Sequence, residues 1–227
     1  MCKTIHSQRG VWIGHCFLLY SPFFIEGIYS LIIKKFKEPS AYWFYGLYLL
    51  LCYLFYGLVC VIHLKWRKKI GEPAVFDCKP KTVKWLLVSV LMGIAASKLG
   101  SFIIYRSIFS PMIMRDVRAY FINFSPRYIG VAGFILQYIY YGFEFTLVTL
   151  LIDCAQTTSG KYNLNRKIPW GGIFLALTWG IGHVLTKNSI QDGIHTFLMS
   201  LCIGSAYLLP ENKKVNTWCA AAAIFFL

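Results

Sequence analysis

Acidic residues are scarce in this chain. Its 227 residues hold 9 Asp and Glu against 23 Lys and Arg, and charged side chains of both signs make up only 14%. Soluble domains carry about 25% charged residues, so an ordinary soluble enzyme is excluded. A disordered chain is excluded too, because it would need high charge with little hydrophobicity. Chemical signatures are missing as well. The 5 His and 8 Cys form no HExxH and no CxxC, so neither a zinc site nor a disulfide framework is expected. No GxSxG and no P-loop occurs, which removes the common serine-hydrolase and nucleotide-binding readings. No metal and no cofactor is expected.

What is abundant is apolar surface. Hydrophobic residues make up 57% of the chain and aromatics 18%, with a mean hydropathy of +0.57. This composition points to an all-α polytopic membrane helix bundle, since a span needs about 20 apolar residues. Apolar runs cover 11–33, 42–64, 83–105, 128–152, 168–186 and 190–209, and a shorter one covers 215–227. The expectation is six to seven spans, short loops and one integral membrane domain over 1–227. Basic residues followed by an apolar run open the chain without a small-residue cleavage site, which reads as a retained first span.

The net charge of +14 reads as topology and lipid contact, not as nucleic-acid binding, because the cations fall between apolar runs. The N-terminus and the loops after spans two, four and six hold 14 Lys and Arg, with Lys84 at the edge of span three counted among them, and the other loops hold 8. That excess favours a cytoplasmic N-terminus. The short loops lean towards a bacterial cytoplasmic membrane. The stretch 107–127 is bracketed by Pro111 and Pro126. Met112, Ile113, Val117, Tyr120, Phe121 and Phe124 share one helical face there, away from Arg115, Arg118 and Asn123. It is predicted to be an interfacial amphipathic helix, either a collar or a gate for lateral access.

Ionisable groups inside hydrocarbon are costly and mark the bundle interior. Glu26, Lys98, Glu144, His183 and His195 are the candidates in the predicted spans. Glu26 follows Pro22 in a span expected to break at that proline, and is expected to pair with Lys98. Gln137, Tyr141 and Glu144 share a helical face. Glu144 is either a general base or a structural group bonded to Tyr or Lys98. His183 lies beside Gly180 and Gly182, which admit a close helix neighbour. His195 with Asp192 reads as a capped helix start.

Two of these positions carry a resemblance. Glu144-Phe145-Thr146-Leu147-Val148-Thr149 is similar to an EExxxR motif, with Phe145 in place of the second Glu and Thr149 in place of the Arg. Trp179-Gly180-Ile181-Gly182-His183 is similar to FxxxH, with Trp for Phe, and TFLMSLCIGSAYLLPENKK follows it. In this order they resemble the CAAX protease and bacteriocin-processing (CPBP) family of intramembrane proteases, over a core of about 83–214. The family's late HxxxN or HxxxD has no counterpart, since no His, Asn or Asp follows Asn216. The resemblance implies an intramembrane endopeptidase in which Glu144 and His183 activate a water. Tyr141, Trp179 and His195 would support the site or bind substrate. The partners would be the bilayer and a membrane-anchored or leader-type peptide. The missing motif positions keep a second reading open. In it, a non-catalytic protein of the same fold holds a partner membrane protein as a scaffold, regulator or bacteriocin self-immunity protein. A small transporter using Glu26, Lys98 and Glu144 ranks below both, because internal repeats are absent.

Overall fold

The computed structural model describes residues 2–33, 42–72, 83–108, 111–122 and 127–226. These residues form eight helices and no strand. They are α1 (Cys2–Ile33), α2 (Tyr42–Lys69), α3 (Val83–Tyr105), α4 (Met112–Ile122), α5 (Arg127–Lys161), α6 (Trp170–Lys187), α7 (Ile190–Tyr207) and α8 (Lys213–Phe226). Four of them are long and apolar enough to cross a membrane, over Gly10–Tyr29, Leu50–Lys69, Val83–Tyr105 and Gly130–Lys161. Helices α6 and α7 have 18 residues each and α8 has 14.

Helix α5 is the centre of the bundle. It packs against α1, α2, α4, α6, α7 and α8, and Phe145, Leu147, Val148, Leu150, Leu151 and Ile152 are fully buried. The contacts Trp12–Trp66, Arg67–Asp153 and Gly172–Gly204 fix the directions of the helices. They bring the start of α1, the ends of α2, α5 and α7, and the starts of α6 and α8 to one end of the bundle.

The tightest packing is between α6 and α7. A Cβ on Gly204 would sit 2.3 Å from the Cα of Gly172, so the two backbones touch and only glycine fits. The turn between these helices is short. Asn188 closes α6 in the left-handed region at φ 53°, and the Ser189 hydroxyl accepts from the Asp192 N–H at 3.2 Å to cap α7. The capped helix start read around Asp192 is therefore present.

Two expectations are corrected. Helix α1 does not break at Pro22 but runs through it. A proline at 22 removes the N–H that would bond the carbonyl of Leu18. The Ser21 hydroxyl donates to that same carbonyl at 2.7 Å, so no backbone acceptor is orphaned. The segment from Asp153 was read as a loop, yet α5 continues to Lys161. Asp153 is 2% exposed and is held by partners from three other helices. In the stretch expected to be amphipathic, α4 covers Met112–Ile122, whereas Asn123, Phe124 and Pro126 lie outside the described residues.

Candidate functional site

Glu144 sits midway along α5 and is 6% exposed. It lines a cavity of about 380 Å³ together with Lys98, Trp179, His183 and His195. Arg115 of α4 and Phe225 of α8 close the same cavity. The structure thus brings together Glu144 and His183, and adds Trp179 and His195. Tyr141 is placed elsewhere. Its ring stacks on Phe145, and its hydroxyl donates to Asp116 Oδ2 at 3.5 Å.

The histidine is oriented by its own helix. His183 Nδ1 lies 3.1 Å from the carbonyl oxygen of Trp179. A carbonyl only accepts, so Nδ1 carries the proton and Nε2 is the acceptor nitrogen. Trp179 meets the imidazole edge-on at 5.3 Å and stacks on Phe225 at 5.9 Å. These contacts hold the ring through its aromatic neighbours and its backbone bond together.

A second cavity, of about 160 Å³, lies on the α1 side. Glu144, Trp179 and His183 line it too, so they form the wall between the two spaces. Glu26 faces this second cavity with Glu144. Its carboxylate accepts from Tyr140 Oη at 2.7 Å and from Tyr56 Oη. The expected pairing of Glu26 with Lys98 is replaced by these two tyrosines. The wall is therefore built from Glu144 of α5 and from Trp179 and His183 of α6, and Glu26 faces it from α1 across the second cavity. Such a set can hold a water between carboxylate and imidazole acceptors.

Outside the spans, α4 brings Asp116 against α5. Burial pushes its carboxyl above the usual carboxylate range, and the neighbouring Arg115 and the Tyr141 hydroxyl pull it back in part.

One polar cluster was missed in the sequence. Asp153 forms ion pairs with Arg67 of α2 and, at 3.7 Å, with Lys214 of α8. Tyr207 donates to its other oxygen at 2.5 Å, and Arg67 also pairs with Glu72 at 3.3 Å. The signal that could have found it is the position of Asp153, directly after an apolar run and directly before Cys154-Ala155, with no turn residue between.

No family model, no curated protein and no solved structure matches this chain.

Proposed function

We propose that the protein is a CPBP-type intramembrane endopeptidase, with Glu144 as general base and His183 as its partner on one water. The observation that carries this reading is the shared cavity: a nearly buried carboxylate on α5 and an oriented imidazole on α6 wall the same space. In this reading α6 and α7 complete the bundle as spans five and six. Helix α4 lies along the interface with Ile113, Met114, Val117 and Phe121 exposed to lipid. The N-terminus is cytoplasmic, by the excess of 14 over 8 basic residues, in a bacterial cytoplasmic membrane.

The chemistry follows from the groups present. Glu144 accepts a proton from water while the water oxygen bonds to the scissile carbonyl carbon. His183 Nε2 accepts a hydrogen bond from the same water and orients it. Lys98 and His195 face the cavity and supply donors towards the developing oxyanion. The C–N bond then breaks, and the proton held by Glu144 passes to the leaving amine. The substrate is a membrane-anchored or leader-type peptide, because the cavity is lined by the helices of the bundle.

A second reading has its own observation. Helix α8 gives the cavity only Ile224 and Phe225, so no donor comes from the final helix, where the family's late motif falls. A non-catalytic protein of the same fold, binding a partner membrane protein, fits that apolar face.

The test is peptide cleavage by the full chain in liposomes, with prenylated and leader-type peptides as substrates. Glu144→Gln and His183→Ala should each lower the rate by roughly a hundred- to ten-thousandfold, at unchanged thermal unfolding. No cleavage by the wild type, with a membrane protein recovered by cross-linking at Phe225, moves the protein to the second reading.

A further inference from the structure

The cavity at the opposite region of the bundle has no role in the proposed chemistry. It has a volume of about 300 Å³ and lies between the α5–α6 and α7–α8 turns, within the size range of small-ligand sites. Lys161, Arg166 and Lys213 line it, with Gln156 and Tyr207. Among the described residues no acidic one lines it. Glu211, in the second turn, is outside the lining, and Asp153 beneath it is already paired with Arg67 and Lys214. Three cations therefore converge on one space with no counter-charge from the described residues in its wall.

The backbone that carries Arg166 is held in place, and the two lysines rest against aromatic rings. Gln156 is 9% exposed, and its amide clamps the turn that carries Arg166. Its Nε2 donates to the carbonyls of Arg166 at 3.5 Å and Ile168 at 3.0 Å, and its Oε1 accepts from the Gly171 N–H at 3.0 Å. Gly160 gives the guanidinium room, since a Cβ there would lie 3.4 Å from Arg166 Nε. The Lys161 ammonium sits 5.1 Å from the Trp12 ring centroid, and that of Lys213 sits 5.8 Å from the Tyr207 ring. Lys213 is also the first residue of α8, so the positive end of that helix adds to the field. A turn fixed before binding loses less on binding an anion.

The depth of the cavity selects the kind of anion. Trp12, Trp66, Trp85 and Trp170 lie at this end of the bundle, near the starts of α1, α3 and α6 and the end of α2. Tryptophan is enriched where a bilayer meets water. Basic pockets between spans at that level hold phosphate headgroups.

We infer that this cavity binds a phosphate anion, and that the phosphate is the headgroup of an anionic phospholipid. Arg166 offers a planar fork to two phosphate oxygens, Lys161 and Lys213 flank it as point charges, and the acyl chains run down the outside of the bundle.

The test is lipid retention by the full chain, purified from vesicles of mixed phosphatidylcholine and phosphatidylglycerol and read by native mass spectrometry. The wild type should keep phosphatidylglycerol in preference to phosphatidylcholine. Arg166→Gln with Lys213→Gln should lower that retention about thirtyfold, from two lost headgroup contacts. Lys68→Gln with Lys69→Gln removes the same charge from the exposed end of α2 and should leave retention unchanged. Matched thermal unfolding of both variants, measured in detergent, keeps the comparison one of binding. An equal loss in both variants, or equal retention of the two lipids by the wild type, overturns the site. Displacement of the lipid by free glycerol phosphate overturns the lipid as its source, assigning the cavity to a soluble phosphate.

Discussion

Arg67 and Asp153 stand 86 residues apart in sequence and form an ion pair across the α2–α5 interface. Their side chains are 4% and 2% exposed. A buried pair is held by mutual compensation, so removing one partner leaves an uncompensated charge and costs about 3–5 kcal/mol. Asp153→Ala is expected to fall in that range, since it also strands Lys214 and the Tyr207 hydroxyl. Glu72→Ala touches the same guanidinium from a 29% exposed position and should cost about 0–1 kcal/mol. The combined Arg67→Met and Asp153→Leu change should recover most of the loss from Asp153→Ala. Unfolding midpoints in mild detergent give all three values, and equal losses for Asp153→Ala and Glu72→Ala would contradict the assignment.

Ser21 and Pro22 make a second testable unit. With Pro22 present, the Leu18 carbonyl depends on the Ser21 hydroxyl. Ser21→Ala should cost about 1 kcal/mol, because the part-buried Leu18 carbonyl is left without its donor. In a Pro22→Ala background the backbone N–H of residue 22 returns, and Ser21→Ala should then be nearly neutral. A double-mutant cycle on unfolding stability measures the difference. Additive effects would show that the serine does not replace the missing donor.

These two units also mark what the sequence could and could not disclose. The helical class was legible from apolar runs, and α3 was read with the observed bounds because both its ends coincide with charge and turn signals. The membrane-interior candidates Glu144, His183 and His195 were legible because ionisable residues stand out in such runs, and they do meet at one cavity. The partners of Glu26 were not. Tyr56 and Tyr140 lie 30 and 114 residues away, and tyrosine is too common here to mark a pair. Asp153 was misplaced because polarity after an apolar run looks like a loop. Three partners from other helices satisfy its charge and let α5 continue, and periodicity along one helix does not show partners on another.

The glycine contact between α6 and α7 predicts a steep size dependence. Gly204→Ala puts a Cβ against the backbone of Gly172, with no flexible side chain to yield. Overpacking of this kind costs about 1–3 kcal/mol, and Gly204→Val should exceed that range. Gly182, with open space around its Cβ position, supplies the control. Gly182→Ala should be neutral or slightly stabilising, because alanine is the better helix former. Thermal unfolding of the three variants tests the order, and a Gly204→Ala protein as stable as Gly182→Ala would remove the close approach.

Asp116 predicts a pH dependence for the docking of α4. Its folded-state carboxyl is raised by burial, the largest effect, while Arg115 and the Tyr141 hydroxyl oppose it. A raised acid binds more protons folded than unfolded in the window between the ordinary carboxylate value and its own. Stability linked to this group must therefore fall as pH rises through that window. Below the window the carboxyl is protonated in both states, and the contribution is fully present. Asp116→Asn keeps the shape and removes the titration, so the difference between wild type and Asp116→Asn should narrow in favour of the variant as pH rises. The readout is the unfolding midpoint in detergent, followed from acid to neutral pH. Asp116 is partly solvated, so water screens the effect and the change should be small. A wild type that gains on Asp116→Asn with rising pH would show that Arg115 and Tyr141 outweigh burial at this carboxyl.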